Sequence, residues 1–428
     1  MRIILDGHIH SKYSRATSRD MDIQHIARFA KIKGLNVVGT GDFTHPGWFE
    51  ELKETLEPSA FEGLYTPVGQ PEGQVYFMVT AEVCTISEFE GKAKRIHHVI
   101  WAPSLEVAEQ VSDVLSRYGS LEADGRPTLT VDPPELAEVV TELSSRLFLF
   151  PAHAWTPWFS LFGAFSGFNR LRDCYQDMAG RVYALETGLS SDPPMNWRIS
   201  ELDRLAIISN SDSHSYWPWR LGREANVLEA KEPSYQTIIE VFKARRSESF
   251  LLTVETDPSY GKYHWTGHRN CGVSMPAKEA VRLEGICPVC GKRMTKGVEE
   301  RVEELADRPE GYMLLGAPNY VHLIPLSEII ATALGLENPQ DRRVWKVYNG
   351  LISRFGSEFN VLLDAPYVEV EKLAGRAIAS LLAAVREDKV KIKPGYDGVY
   401  GKLLLEAEKL EAAAGKAFRR KGTLEDFF

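Results

Sequence analysis

The sequence has no stretch long and apolar enough to span a membrane, and Met1 runs straight into the apolar Ile3-Ile4-Leu5 rather than into a signal sequence. Both absences predict a cytoplasmic protein. Cysteine is scarce. The 428 residues contain five, an odd number that argues against a secreted disulfide framework, and three of the five cluster in a way that points to metal. Positive charge is in deficit: the net charge is −9, so any nucleic-acid contact must come from local patches rather than overall charge. There is no Walker loop, no Gly-x-Gly-x-x-Gly after a strand and no Gly-x-Ser-x-Gly elbow, which removes support for nucleotide-driven and acyl-transfer chemistry. What remains is an ordinary globular composition, long enough for two or three domains with a sizeable core.

Against these absences stands Asp6-Gly7-His8-Ile9-His10, which closes the first apolar run. Residues two apart on a strand face the same way, so His8 and His10 would project together as half of a metal site. Up to about residue 250, short apolar runs alternate with helical patterns, which predicts a mainly parallel sheet or barrel. The runs end alike. One leads to Asp42 and His45, one ends at Glu82, one carries His97 and His98, and others lead to His153, Glu186, and Asp212 with His214. In parallel α/β barrels the carboxyl ends of the strands share one face, so these side chains would converge. Imidazole and carboxylate with few thiols suit Zn, Mn or Fe in a multi-metal hydrolytic site, where Glu82 would be a natural bridging carboxylate.

This ordered set, Asp6 to His10, the strand ending at Glu82, His98, Pro151-Ala152-His153 and Ser211 to His214, resembles the motifs of the polymerase-and-histidinol-phosphatase superfamily. The resemblance implies a distorted (β/α)7 barrel over about the first 250 residues, with a two- or three-metal phosphoesterase site. It further implies that His8, His10, Glu82 and Asp212 hold one metal and that Glu82 bridges to a second held by His98 and His153. Asp42, His45 and His214 would then build the remaining site, with Glu82, Asp212 and His214 as the catalytic residues. His97 is a rival for the role of His98, since alternation lets only one of the pair face the site. The chain departs from the superfamily pattern in lacking a third histidine between Ser11 and Asp20 and in placing Phe43 and Thr44 between Asp42 and His45, and both departures bear on a third metal.

Two loops beside these ligands are unusually aromatic. Trp155 and Trp158 follow His153, and Tyr216, Trp217 and Arg220 follow His214. Such rings either fill the space between barrel and neighbouring domain or form a wall on which an extruded base stacks. From residue 256 the chain reads as a zinc module. His268-x-x-Cys271 and Cys287-x-x-Cys290 are separated by fifteen residues, with His264 as a reserve ligand. Lysine and arginine outnumber acidic residues across this module, which suits a nucleic-acid clamp.

From Gly297 the pattern turns mostly helical, with amphipathic segments near 326–336, 339–355 and 367–387. Lys391 and Lys393 open a glycine-containing stretch before a further helical segment, suited either to gripping a phosphate or to an ordinary turn. The last eight residues, with Leu424, Phe427 and Phe428, resemble the peptide by which DNA-processing enzymes bind the sliding clamp, although Lys421 stands where glutamine is usual.

The expected organisation is therefore a barrel over 1–255, a zinc module over 256–297, a helical DNA-binding domain over 298–420 and a clamp-binding tail over 421–428. Taken together, these features resemble archaeal DNA-repair endonucleases of the superfamily. That resemblance implies cutting 5′ of a deaminated base (uracil, hypoxanthine or xanthine) or an abasic site, with one structural Zn and two or three catalytic divalent metals (Zn, Mg or Mn). The competing expectation is a small-molecule phosphatase of the histidinol-phosphate type, which would leave zinc module and tail without purpose.

Overall fold

The computed structural model describes residues 1–70, 75–245 and 247–404. The expected clamp-binding tail, and the helical segment expected after the stretch at 391–402, therefore lie outside the described residues. The strands in chain order are β1 (Arg2–Asp6), β2 (Val37–Gly39), β3 (Leu56–Pro58), β4 (Tyr65–Pro67), β5 (Tyr76–Phe89), β6 (Lys92–Ala102), β7 (Thr128–Leu129), β8 (Phe148–Pro151), β9 (Ala184–Glu186), β10 (Ala206–Ile208), β11 (Ala225–Glu229) and β12 (Phe250–Glu255). After them come β13 (Thr266–His268), β14 (Val273–Met275), β15 (Asn319–His322), β16 (Lys391–Lys393) and β17 (Lys402–Leu404). Among the described residues no helix is long and apolar enough to cross a membrane.

The architecture is mixed α/β. An eleven-stranded sheet among the described residues runs β15-β12-β11-β1-β2-β5-β4-β3, with β6 pairing both β5 and β8, and β7 joining β5. A mainly parallel sheet is not what forms. β1, β2 and β5 are parallel, but β11 is antiparallel to both β1 and β12, and β6 is antiparallel to both β5 and β8. The cause is local: Glu90 and Gly91 both take positive φ (51° and 71°), the two-residue turn whose twist suits a hairpin. β5 therefore does not end at Glu82 but runs on to Phe89 and folds back along β6.

Alternation on β1 sends Ile3 and Leu5 into one apolar cluster, with Val37, Met78, Val99, Trp101, Phe148 and Phe150, and sends Ile4 into the other. Both faces of the sheet are thus buried. At the end of β1 the Trp101 indole packs on Gly7 and donates through Nε1 to the Gly7 carbonyl at 2.9 Å. A Cβ at residue 7 would lie 2.3 Å from the ring, so only glycine fits between Asp6 and His8.

Residues 266–295 form a small unit of their own. β13 and β14 make a hairpin, followed by the helix Ala277–Arg282, over a core of Met275, Ala280, Cys287 and Met294. The chain then returns to the sheet: β15 lies in the region expected to be helical, yet pairs in parallel with β12. Among the described residues four α-helices follow, Leu326–Ala333, Arg342–Phe355, Tyr367–Ala374 and Arg376–Arg386. The expected segment at 367–387 is two helices because Gly375, at φ 88°, breaks it. A buried ion pair, Lys33 Nζ to Glu358 Oε1 at 2.8 Å, ties this bundle to the sheet region.

His322 on β15 makes a second tie, 3.3 Å from Asp192 and 3.3 Å from Asp388. Burial alone would lower its pKa, but the two carboxylates outweigh it and raise it from the ordinary 6.5 to about 10. The stability this contributes is complete below pH 6.5 and is lost as pH rises through 10. His322→Gln should therefore lower the urea midpoint at pH 6 and change it little at pH 10.5; an equal deficit at both would mean that the imidazolium is not the stabilising species.

Candidate metal centre

The site forms where the chain leaves β1, β8 and β10, beside residues within β5 and β6. An isolated parallel bridge between Ile9 and Ser213, with the His10 amide donating to the Ser213 carbonyl at 2.9 Å, brings Asp212 beside the two histidines. Each histidine is turned by a carboxylate behind it. His8 Nδ1 lies 3.0 Å from Glu186 at the end of β9, and Glu186 also accepts from Asn210 and from the His153 amide. His10 Nδ1 lies 2.9 Å from Asp42, whose other oxygen accepts from the amide and hydroxyl of Ser11 and from the Ser14 hydroxyl. A carboxylate can only accept, so both Nδ1 atoms carry the proton; the surrounding carboxylates outweigh burial and raise both pKa values well above the ordinary 6.5, and each Nε2 offers its lone pair to a metal once that metal displaces the Nε2 proton.

Both Nε2 atoms face oxygens. His10 Nε2 is 3.0 Å from Asp212 Oδ1 and 3.2 Å from Glu82 Oε2, while His8 Nε2 is 3.7 Å from each of the same carboxylates. His8 Nε2, His10 Nε2 and Asp212 Oδ1 are buried without a hydrogen-bond partner. Two carboxylates and two imidazoles gathered in a buried site need positive charge among them, from protons on the imidazoles or from a metal ion that replaces those protons. The ligand atoms of His8, His10, Glu82 and Asp212 all lie within 4.8 Å of one another, a span that fits one divalent ion.

A second group uses the other side of the same carboxylate. Glu82 Oε1 is 2.9 Å from His97 Nδ1 and 3.1 Å from His153 Nε2. Burial alone would raise the pKa of Glu82, yet the charges and donors around it, the Arg126 guanidinium among them, hold it well below the carboxylate range. Burial also pushes His97 down to about 4, with Glu82 only partly opposing, so its ring is neutral and free to ligate at neutral pH. The backbone is strained here. His153, Asp42 and Asp212 all have positive φ, at 30°, 51° and 47°.

The placement of His98 is a correction. In the hairpin register His97 lies opposite Cys84, two residues from Glu82 and on its face, whereas His98 lies opposite Val83 on the other face. His98 bonds Tyr175 Oη at 2.8 Å and Thr85 Oγ1 at 3.0 Å, away from both ligand groups.

Among the described residues no third ligand group gathers around Asp42, His45 and His214. Asp42 is occupied in orienting His10. His45 caps the helix Pro46–Thr55, accepting from the Trp48 amide, and packs against Tyr13. His214 bonds the Asp212 carbonyl, its ring centroid 4.4 Å from that of His10.

One residue of the site carried no distinctive sequence signal, and a second, expected among the side chains at strand ends, takes another role. Arg126, from the loop before β7, reaches Glu82 Oε2 at 3.1 Å, and Glu186 acts behind His8 rather than as a ligand.

The aromatic loops divide. Trp155 is fully buried, donates to Asn196 and packs on Phe162, so it is core and not a wall for a base. Trp158 is 40% exposed and lies flat on the half-exposed Phe165 at 4.8 Å, with Tyr263 edge-on. Tyr216 and Trp217 brace Phe29, and Trp217 stacks on Trp219 at 4.9 Å. Arg220 lines a cavity beside Trp219, and Lys391 and Lys393 stand exposed on β16.

His268, Cys271, Cys287 and Cys290 form a separate group of four potential ligands, with His268 Nδ1 3.3 Å from Cys290 Sγ. His264 lies outside it. Three thiolates with one imidazole suit zinc, and Lys278, Arg282, Lys292 and Arg293 stand exposed around the group.

Residues 325–389 match a family described as the MJ0043 C-terminal domain. Over 264 residues the chain is 34% identical to the protein MJ0043 of Methanocaldococcus jannaschii, a match covering 60% of this chain and 32% of that protein, so it spans about a third of that relative's length. The crystal structure of the lesion-specific endonuclease PfuEndoQ from Pyrococcus furiosus is similar at 35% identity and a TM-score of 0.87, covering 98% of this chain and 99% of that one. Similar too, at 36% identity and a TM-score of 0.84 over 96% and 98% of the two chains, is endonuclease Q in complex with a 27-mer duplex substrate carrying an abasic lesion at the active site.

Proposed function

Because the chain belongs to the endonuclease Q family, we propose that it is a DNA-repair endonuclease that hydrolyses the phosphodiester 5′ of deaminated bases (uracil, hypoxanthine, xanthine) and of abasic sites. The observation that carries this reading is the likeness, along nearly the whole chain, to an enzyme held on duplex DNA with an abasic lesion at its active site. In this reading the sheet and its helices over 1–255 form the distorted barrel of the polymerase-and-histidinol-phosphatase superfamily. The unit at 256–297 is a structural zinc module, and 298–420 is a DNA-binding domain.

His8, His10, Glu82 and Asp212 would hold one divalent metal and Glu82, His97 and His153 a second; Zn, Mg or Mn suits the imidazole and carboxylate donors. Bound there, such metals supply the positive charge that polarises a phosphodiester and acidifies water. The chain's own residues prepare the place. Glu186 and Asp42 fix the tautomers of His8 and His10, and Glu82 joins the two groups. Arg126, whose guanidinium lies beside both, offers donors to a phosphate oxygen. The exposed cations around the zinc group would follow the DNA backbone.

The test uses end-labelled duplexes carrying one uracil, hypoxanthine, abasic site or normal base, incubated with Mg²⁺ or Mn²⁺. A single incision immediately 5′ of each lesion, absent from normal DNA and after chelation, is the expected result. Intact strands with both metals would refute it and favour the phosphatase.

The clamp-binding tail is also part of this proposal. Replacing Phe427 and Phe428 together with Ala should weaken sliding-clamp binding in a pull-down or calorimetric titration while cleavage of short oligonucleotides stays unchanged. Undiminished clamp affinity would remove the tail from the proposal.

A further inference from the structure

Glu224 and Glu255 are fully buried, and the metal-ligand groups use neither. Ala225 pairs with Val254 where β11 and β12 run antiparallel, so Glu224, just before β11, falls opposite Glu255 at the end of β12. Like charges so placed repel. One oxygen of Glu224 accepts from the Thr256 amide at 3.2 Å, while its Oε2 and the Oε1 of Glu255 are buried without a hydrogen-bond partner. Against these two carboxyl groups stands Arg223, beside Glu224, whose surroundings also include Glu186. His322 faces Glu255 across the β12–β15 pairing but is shared between Asp192 and Asp388, and Asp192 adds its own negative charge near Glu255. Burial, reinforced by Asp192, pushes Glu255 up from the ordinary 4.5 to about 8, and burial with the facing Glu255 pushes Glu224 up as well.

The hydrogen bonds of Glu255 accommodate a proton. Its Oε2 lies 2.9 Å from Thr187 Oγ1 and 3.0 Å from Ser209 Oγ. Each hydroxyl has a backbone carbonyl to donate to instead, Ile208 at 3.2 Å for Thr187 and Val254 at 3.0 Å for Ser209. With the hydroxyl protons placed there, a carboxyl O–H on Oε2 finds an acceptor in either oxygen. The two hydroxyls stand just past the ends of β9 and β10. Thr187 follows Glu186, the carboxylate that turns His8, and Ser209 precedes Asn210, which donates to Glu186 and accepts from the Gly7 amide, both at 2.8 Å. Glu255 therefore joins the two strand ends from which His8 is oriented.

Resting on the metal assignment within the proposed function, we propose that Glu255 is a positioning residue for His8: protonated, it locks Glu186 and Asn210 in place, and its ionisation in mild alkali loosens the first ligand group and releases the metal held there. Once ionised, the carboxylate draws both hydroxyl protons away from the backbone carbonyls and sets a charge against Glu224 and Asp192. The stability that Glu255 contributes is complete below pH 4.5 and is lost as pH rises through 8. Alkali by itself favours metal binding, because imidazoles give up their protons, so a loss of metal on raising the pH has a distinctive cause.

The experiment loads wild type, Glu255→Gln and Glu255→Leu with Mn²⁺ at pH 7, dialyses each at pH 7 and at pH 9, and measures retained manganese, which is told apart from any zinc in the cysteine group. The urea midpoints of the manganese-free proteins are measured at both pH values. Glutamine keeps an N–H donor for the hydroxyls and does not ionise. It should hold manganese as wild type does at pH 7, exceed it at pH 9, and show a smaller fall in midpoint between the two. Leucine has no donor, and its affinity at pH 7 should fall about tenfold or more, the scale for groups that orient a metal ligand. Equal loss of manganese from wild type and Glu255→Gln at pH 9 overturns the inference. So does a Glu255→Gln protein as weak as Glu255→Leu at pH 7, which would make the carboxylate the working form, and so does full affinity in Glu255→Leu. If Glu255→Leu fails to fold, as judged by far-UV circular dichroism, the comparison of wild type with Glu255→Gln decides. Wild type that retains no manganese at pH 7 overturns the metal assignment along with this inference, whereas retained manganese with uncut lesion duplexes ends only the endonuclease reading.

Discussion

Glu82→Gln should reduce incision of a lesion duplex by about 10³-fold or more, the order of loss when one charge-stabilising group is taken from an active site, while the protein still folds and still binds the duplex. The reason is the double use of one carboxylate. Oε2 faces His8 and His10, and Oε1 faces His97 and His153, so the side chain lies between both ligand groups. Glutamine keeps the volume but cancels the charge, and its amide points a donor at one group whichever way it turns. Metal content after dialysis should fall along with activity, and duplex affinity in a gel shift should change by no more than a few-fold. Near-normal incision, or full metal content without incision, would show that Glu82 does not join the two groups.

The largest effect on stability should come from Lys33→Met. Lys33 Nζ and Glu358 are both buried, and Glu358 also accepts from Tyr348 Oη at 2.6 Å and the Leu326 amide at 3.1 Å. Removing the ammonium leaves a buried carboxylate without its cation, which costs ~3–5 kcal/mol. Lys33 also donates to the Pro218 carbonyl at 2.9 Å, so the segment after His214 loosens at the same time. Pairing the change with Glu358→Gln should recover part of the loss, because the amide oxygen can still accept from the Leu326 amide while the Tyr348 hydroxyl turns to accept from the amide NH2. Chemical unfolding of the three variants measures this; a single-variant loss below about 1 kcal/mol would place the pair among those whose desolvation cancels their attraction.

The first histidine pair was legible because its cause is local: strand alternation and a short apolar run suffice to set His8 beside His10. Glu82, His153 and Asp212 were legible as ligand-type side chains at the ends of apolar runs, since convergence needs only that those ends lie close together. The choice between His97 and His98 was not. It depends on the register of the β5–β6 hairpin, which the Glu90-Gly91 turn sets, and a shift of one residue would exchange the two. Arg126 and Glu186 act on groups far away in sequence, 44 residues from Glu82 and 178 from His8, and no local pattern encodes such pairs. The aromatic run after His153 misled for a related reason. Rings that fill a core and rings that face solvent have the same letters, and it takes the burial of Trp155 and its bond to Asn196 to separate it from Trp158.

The pairing of β12 with β15 bears on how the chain is made. Residues 1–255 hold all the side chains of both ligand groups, yet on the ribosome they must wait with the outer edge of β12 uncovered until Asn319–His322 has been synthesised. During that interval an apolar strand, Phe250 to Glu255, offers free backbone donors and acceptors to any other extended segment. A fragment cut at the apparent barrel boundary would therefore retain the chemistry of the site and lose solubility, and the helical half of the chain is needed for the sheet to be finished at all.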